Sequence, residues 1–311
     1  MSEDLAVFRG AGVLVADGSW ATALERQGMG PRVLPVAWNV WHPDRVAAVV
    51  RSMVEAGSQV IVANTEHANR ARAAGSVTTA ELKEWNQLGV RIAREAAEGR
   101  ARVFGGIGPT GKSLMARETT VPWLRETYRA QIEALVEAQV DAVIIERMSD
   151  LSEARLAVEE AKRFSVPVVA TMLFEAGRSR DQTVYGTTVE LAAVGLAESG
   201  ADAVGLSGGW ELSQIAPLVK RMREVADLPV WVRALPDPEP IPSDNPETAP
   251  RRSPQEQFGR AVEALVDAGV RFLAGGGGAG PEFLGGVVAA LEKLPGARAV
   301  TAPAKVPLVE A

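Results

Sequence analysis

The most informative absence in this chain of 311 residues is cysteine, of which there is none. Without cysteine there can be no disulfide, no thiolate metal ligand and no thiol nucleophile. The chain also lacks an apolar run of about 18 residues that could cross a membrane, and its acidic start lacks the basic residues of a secretion signal. The net charge of -6 is mixed along the chain, which is unlike a nucleic-acid-binding surface. These absences predict a soluble, cytoplasmic protein with no nucleic-acid or membrane partner.

Short apolar strands alternate with helical patterns along the chain. Eight runs rich in β-branched residues, from residues 13–15 to residues 270–273, each precede a stretch with helical spacing. Such runs are typical of buried parallel strands. Three similar helix-to-strand junctions place a glycine at the expected helix C-cap; these are Gly57, Gly200 and Gly269. The repetition predicts an α/β protein whose single domain, residues 1–300, is a (β/α)8 TIM barrel, with an open two-sided sheet as the alternative.

Two segments fall outside this alternation. Residues 236–254 are rich in proline, with acidic and small polar residues between the prolines, and are predicted to form a surface loop after the seventh strand. Residues 301–311 combine prolines with small residues and are predicted to be a mobile C-terminal tail.

Four ionisable side chains lie where predicted strands end and helices begin, which is where barrels of this kind carry their sites. They are Asp17, Glu66, His67 and Glu146. Because converging carboxylates and a histidine can bind a cation or exchange a proton, these four are predicted to be catalytic. For Asp17 and Glu146 the alternative is a helix cap or a partner for an arginine. For His67, one of two histidines in the chain, a structural role is equally open.

Other residues at the same strand ends are predicted to bind the substrate. The glycine run 275–278 follows the last strand, and glycine lets a ligand approach the backbone closely. A tight turn that binds nothing is the alternative for this run. The predicted substrate-binding residues are Trp20, Asn64, Gly106, Thr110, Ser207, Trp210, Arg233, Gly276 and Gly277.

Several of these segments, taken in order, resemble the homocysteine S-methyltransferase family. The resemblance spans residues 13–293 and implies a (β/α)8 barrel that transfers a methyl group to a small-molecule substrate. It is carried by Asp17-Gly18-Ser19, Ala63-Asn64-Thr65, Ala68-Asn69-Arg70, Gly106-Ile107-Gly108-Pro109-Thr110-Gly111, Glu146-Arg147-Met148-Ser149-Asp150 and the stretch 275–282.

The same resemblance places the three zinc-binding cysteines of the family on Gly208, Gly276 and Gly277 of this chain. Glycine has no side chain that could coordinate zinc, and in the family zinc activates the homocysteine thiol. The aromatic residue that the family carries after Asn-Thr is replaced here by Glu66 and His67. We therefore expect a site with no metal or other cofactor, and the methyl donor is left open.

Three functions are compatible with these residues. The first is a zinc-independent methyl- or alkyl-transferase whose substrate binds at the C-terminal mouth of the barrel, with Trp20 or Trp210 against a methylammonium-type cation. The second is a non-catalytic homologue that binds a small ligand. The third is a methyltransferase subunit that works with a separate corrinoid protein. Association of the chain into a homo-oligomer is compatible with all three, and we favour the first.

Metal analysis of protein purified without chelators should find no stoichiometric zinc, because the chain has no cysteine and carries glycine at all three ligand positions. One tightly bound zinc per chain that is lost in His67→Ala or Glu66→Gln would contradict this expectation and indicate a rebuilt metal site.

Overall fold

A computed structural model shows that the chain alternates strands and helices as predicted; it describes residues 8, 10, 12–73, 77–114, 116, 119–238 and 254–294. The strands are β1 (Leu14–Val15), β2 (Val60–Val62), β3 (Arg102–Ile107), β4 (Ala142–Met148), β5 (Val168–Met172), β6 (Ala203–Glu211), β7 (Val230–Leu235) and β8 (Val270–Gly275). The α-helices are α1 (Trp20–Arg26), α2 (Trp38–Trp41), α3 (Pro43–Glu55), α4 (Thr79–Ala97), α5 (Val121–Glu137), α6 (Leu151–Ala161), α7 (Val189–Glu198), α8 (Ala216–Val225), α9 (Pro254–Asp267) and α10 (Pro281–Glu292).

The eight strands form one parallel sheet in the order β1-β8-β7-β6-β5-β4-β3-β2. Its two ends meet at a parallel bridge between Ala16 and Val60, so the sheet curves into a nearly closed barrel. The (β/α)8 prediction is confirmed, and the open-sheet alternative is wrong.

Side chains complete the seam between β1 and β2, because β1 has only two residues. The Gln59 N–H donates to the Val15 carbonyl at 2.7 Å, and Gln59 Oε1 accepts from the Val15 N–H at 3.1 Å. Closer to the mouth, Asp17 Oδ2 accepts from the Val62 N–H at 3.0 Å. A carboxylate therefore takes the place of a strand carbonyl at this point of the barrel.

The helix ends follow local capping chemistry. Asp150 caps α6 by accepting from the Ser152 N–H, as its position before a helical pattern predicts. Thr78 and Glu81 form a capping box at the start of α4, so the helix begins at Thr79, directly after its cap. At the predicted C-caps, three glycines adopt positive φ; they are Gly57, Gly200 and Gly269.

Three strands extend further toward the mouth than their apolar runs indicate. These are β3, β4 and β6, which continue through Ile107, Met148 and Glu211. Ile107 and Met148 stay fully buried, whereas the last four residues of β6 are half-buried. The extension matters because it decides which side chains face the mouth.

Aromatic rings fill the interior of the barrel. Trp231 and Phe272 stack at 5.3 Å between ring centroids, and Phe104 lies 6.2 Å from Trp231. Phe8 joins them at 5.4 Å from Phe272, although it precedes β1 in the chain. Gly205 of β6 leaves room for this layer, because a Cβ there would lie 2.0 Å from the Trp231 carbonyl oxygen.

The two irregular segments fall largely outside the described residues. Of the predicted loop 236–254, only residues 236–238 and 254 are described. The predicted tail, residues 301–311, lies entirely outside them. Among the helices that the structure describes, none is long and apolar enough to cross a membrane.

Replacing Phe8 by alanine should lower the free energy of unfolding by about 3–5 kcal/mol, because it removes a ring that is 2 % exposed and leaves a cavity inside the barrel. Urea unfolding followed by circular dichroism measures the change. Leu191→Ala is the matched control, since Leu191 is 60 % exposed and its loss should change the value by no more than about 0.5 kcal/mol. Equal stability of the two variants would show that Phe8 does not support the barrel.

Candidate functional site

A cavity of about 320 Å³ lies at the C-terminal ends of the strands. It is close to the lower limit of ordinary small-ligand sites. Most of the predicted site residues line it; these are Trp20, Asn64, Glu66, His67, Glu146, Ser207, Arg233, Gly276 and Gly277. The order of strands in the barrel therefore brings together residues as far apart in the chain as Trp20 and Gly277.

Arg233 of β7 is the centre of a buried group of charges beneath the cavity. Its Nη2 donates to Asp17 Oδ1 at 2.9 Å, and its Nε donates to Glu146 Oε1 at 2.8 Å. Its Nη1 donates to the carbonyl oxygen of Gly275 at 2.8 Å and more weakly to those of Asp17 and Gly18. Every nitrogen of this guanidinium therefore has an acceptor. We call Asp17, Glu146 and Arg233 the floor cluster.

Asp17 is fully buried and is not among the residues that line the cavity. Burial raises the pKa of its carboxyl from 3.8 to about 6; the Arg233 charge opposes this shift, and the Glu146 charge adds to it. Its two oxygens are occupied by Arg233 and by the Val62 N–H. The position of Asp17 therefore suits a partner of an arginine better than a catalytic group.

Glu146 of β4 presents the floor cluster to the cavity. Its Oε1 accepts from Arg233 and, at 3.3 Å, from the hydroxyl of Ser207. The Ser207 hydroxyl lies 2.6 Å from that of Thr171, which fixes it from the other side. In the described part of the chain Oε2 of Glu146 has no hydrogen-bond partner. The arrangement leaves one carboxylate oxygen for a ligand.

Glu66 and Arg147 form an ion pair at the opening of the cavity, which we call the mouth pair. Arg147 Nε donates to Glu66 Oε1 at 2.8 Å, and its Nη2 contacts the same oxygen. Gly108 makes room for Glu66, because a Cβ at Gly108 would lie 2.7 Å from Glu66 Cγ. His67 lines the cavity beside this pair. Burial is the largest cause of the lowered pKa of His67, which Glu66 opposes and Arg147 assists, so its imidazole is neutral at neutral pH.

Sequence reasoning missed Arg147. Regular alternation along β4 would point Glu146 and Arg147 to opposite faces of the sheet. The pairing of β4 with β5 instead shifts register between Ile145 and Met148, and Arg147 has φ +56°. Both neighbours therefore line the cavity. Its position directly after the predicted Glu146 is the one signal that the sequence offers.

Three predicted substrate-binding residues lie away from the cavity and are corrected here. Thr110 is buried, and its N–H donates to Glu153 Oε1 at 2.9 Å. The Trp210 indole N–H donates to the Arg180 carbonyl at 3.0 Å, and the Arg180 guanidinium lies 5.1 Å from its ring centroid. Gly106 is a packing residue, because a Cβ there would lie 2.9 Å from a Val62 methyl group.

The three positions that the resemblance assigns to zinc ligands lie together on the cavity wall; they are Gly208, Gly276 and Gly277. A side chain at Gly208 would be strained, since its φ is +83°. At Gly276 a Cβ would lie 3.1 Å from the Ala234 carbonyl oxygen. No group of three or more His, Cys, Asp or Glu side chains within the described residues could hold a metal ion. The residues present do not fit the zinc of the family.

Comparisons with known proteins agree with this geometry. The pattern of the homocysteine S-methyltransferase family matches residues 14–291. Betaine–homocysteine S-methyltransferase 1 of Sus scrofa is 31 % identical over 220 residues, which cover 68 % of this chain and 76 % of that protein. The Bos taurus protein is also 31 % identical, but the match covers only 52 % of it, so the chain spans about half the length of that relative.

Solved structures show the same fold. The homocysteine methyltransferase MmuM from Escherichia coli superimposes with a TM-score of 0.74 in its metallated form, at 22 % identity, covering 90 % of this chain and 97 % of that one. Its oxidized form gives a TM-score of 0.76 at 21 % identity, with coverage of 93 % and 99 %.

The floor cluster should make stability depend on pH through Asp17. Because the pKa of Asp17 is about 6 in the fold and 3.8 in the unfolded reference, the folded state binds this proton more tightly. Its stabilisation is complete below about pH 4 and is lost as the pH rises through 6, about 3 kcal/mol in all. In Asp17→Asn this decline should disappear from urea unfolding measured between pH 4 and 7.

Asp227→Asn is the control for that series, because Asp227 is exposed. Its unfolding curves should follow those of the wild type at every pH. An unchanged decline in Asp17→Asn would mean that Asp17 is ionised throughout this range.

Proposed function

Because this chain belongs to the homocysteine S-methyltransferase family, we propose that it is a zinc-independent methyl- or alkyl-transferase whose small-molecule substrate binds in the cavity at the mouth of the barrel. One observation carries the proposal. Arg233 holds the Glu146 carboxylate beneath the cavity and leaves Oε2 for a ligand. A buried charge is expensive to maintain unless it is paired, and here the pairing also supplies a free acceptor.

The charges of the cavity favour a ligand with a positive group. In the floor cluster two carboxylates face one guanidinium, so the cluster is negative once Asp17 is ionised. Trp20 lines the cavity and is held by a hydrogen bond of 2.7 Å from its indole N–H to the Val62 carbonyl. Its ring is therefore a fixed surface for an ammonium or sulfonium group. An onium methyl donor or an amino-bearing acceptor fits both features.

The chemical step needs an acceptor that loses a proton and a donor that loses a methyl group. In the proposed reaction His67, neutral because of its lowered pKa, accepts the proton of the acceptor atom. The lone pair of that atom forms a bond to the methyl carbon of a sulfonium or quaternary ammonium donor. The bond from carbon to the onium atom breaks, and its electron pair stays with the departing neutral thioether or amine. No electron-transfer cofactor is needed for this balance.

A non-catalytic, ligand-binding homologue is the second candidate. The observation in its favour is glycine at all three metal-ligand positions, Gly208, Gly276 and Gly277. Such a protein would bind the same cationic ligands in the same cavity, and only turnover separates the two proposals.

Metal-stripped protein should transfer a deuterated methyl group from a sulfonium or trimethylammonium donor to an acceptor in a mixed panel of thiols, selenols and amines, detected by mass spectrometry. Glu146→Gln and His67→Ala should each reduce turnover by at least about 100-fold. Homocysteine should be a poor acceptor from betaine, because a thiol of pKa about 8.5 is only a few per cent ionised at pH 7. Efficient methionine formation by the metal-free protein would contradict this.

His42→Ala is the matched control for His67→Ala, since His42 is exposed and packs on the ring of Trp38. It should retain full turnover. Ligand binding without transfer from any donor in the panel would favour the non-catalytic homologue. Equal turnover in all three variants and the wild type would remove the reaction from this cavity.

A further inference from the structure

We propose that Arg147 is a specificity-determining residue that binds a carboxylate of the substrate at the mouth of the cavity. The proposal rests on the proposed function only in placing the substrate in this cavity. It adds that the ligand is a zwitterion, with its positive group toward Glu146 and its carboxylate on Arg147.

The two arginines that line the cavity differ in their free donors. Arg233 is 8 % exposed, and each of its nitrogens already has an acceptor. Its Nη2 has a single acceptor, Asp17 Oδ1, so at most one of the five N–H groups of this buried side chain is left for a ligand. The Arg147 side chain is 43 % exposed, and within the described residues its Nη1 has no hydrogen-bond partner. An anionic group that enters the cavity therefore finds its donor at Arg147.

The geometry of the mouth pair suits this role. Glu66 occupies the edge of the Arg147 guanidinium formed by Nε and Nη2. The other edge, formed by Nη1 and Nη2, is the second site at which arginine binds a carboxylate through two parallel hydrogen bonds. Glu66 thus holds the guanidinium in place without using the edge that a ligand needs.

The backbone at Arg147 is held in an unfavourable conformation. A non-glycine residue at φ +56° is strained by about 1–3 kcal/mol and persists only where the surroundings impose it. Here the Arg147 N–H donates to the Thr171 hydroxyl at 3.3 Å, and the register shift of β4 turns the side chain to the cavity. Strain of this kind concentrates at ligand sites, which agrees with a binding role for Arg147.

The charges of floor and mouth then define the ligand. The floor cluster attracts a positive group and the free edge of Arg147 attracts a negative one. Both lie on a cavity of about 320 Å³, so the two groups belong to one small molecule. His67, which lines the same cavity, has a lowered pKa and adds no competing positive charge.

Calorimetric titration with two matched probes tests this inference. The probes are methionine and 3-(methylsulfanyl)propylamine, which is methionine without its carboxylate. The wild type should bind methionine about 10- to 100-fold more tightly than the amine, as expected for charge-assisted hydrogen bonds. Arg147→Met should bring the two affinities within about twofold of each other, and Arg147→Lys should fall between.

Two further variants separate ligand binding from a structural role. Arg155→Met is the matched control, because the Arg155 side chain is also 43 % exposed and pairs with a glutamate, but on the outer face of α6; it should keep the wild-type preference. Glu66→Gln keeps an oxygen that can accept from the Nε/Nη2 edge of Arg147 and leaves the other edge untouched, so the preference for methionine should persist.

Equal affinity of the wild type for both probes, or no binding of either, would overturn the proposal. Loss of the preference in Glu66→Gln to the same extent as in Arg147→Met would also overturn it, since Arg147 would then act only as a partner of Glu66. The methyl-transfer assay reports separately on the proposed function, because turnover with a substrate that lacks a carboxylate would refute the role of Arg147 and leave methyl transfer intact.

Discussion

The interaction on which the site depends is the burial of one guanidinium between two carboxylates. Burial alone would lower the pKa of Arg233, but Glu146 and Asp17 raise it further than burial lowers it. The charge is therefore permanent. Its acceptors come from β4, from the end of β8 and from the segment that follows β1. Removing Arg233 would leave two buried carboxylates without a counter-charge. The floor cluster thus joins the closure of the barrel to the orientation of Glu146.

Glycine at the three positions that the resemblance assigns to zinc ligands affects how a substrate could be activated in the cavity. In the family, by resemblance, thiolates and zinc activate a thiol at this point. Here glycine backbone lines the same wall at Gly208, Gly276 and Gly277, and it provides space but no metal ligand. The cavity is also lined by ionisable side chains, those of the mouth pair and His67. We therefore expect chemistry in this cavity to rely on proton transfer and charge.

The fold and the floor cluster could be predicted because both follow from local patterns. Apolar strands and glycine caps repeat with each βα unit, and the carboxyl ends of parallel strands meet at one end of the barrel. The errors have a different origin. The apolar run of β6 stops at Leu206 and so points to Trp210 as a mouth residue, whereas the strand continues through Glu211. Arg147 was missed because its orientation depends on a register shift with β5, and such pairing between strands leaves no periodic trace in one strand.

The floor cluster and the mouth pair differ in their structural roles, as well as in how readily they are predicted from the sequence. The floor cluster is tied to barrel closure through the Asp17 contact with Val62. The mouth pair is held by side chains at the surface and by one kinked strand, and it contributes little to the barrel. We therefore expect substitutions in the mouth pair to disturb the barrel less than substitutions in the floor cluster. Substrate choice is therefore expected to be determined at Glu66 and Arg147, above a carboxylate that stays the same.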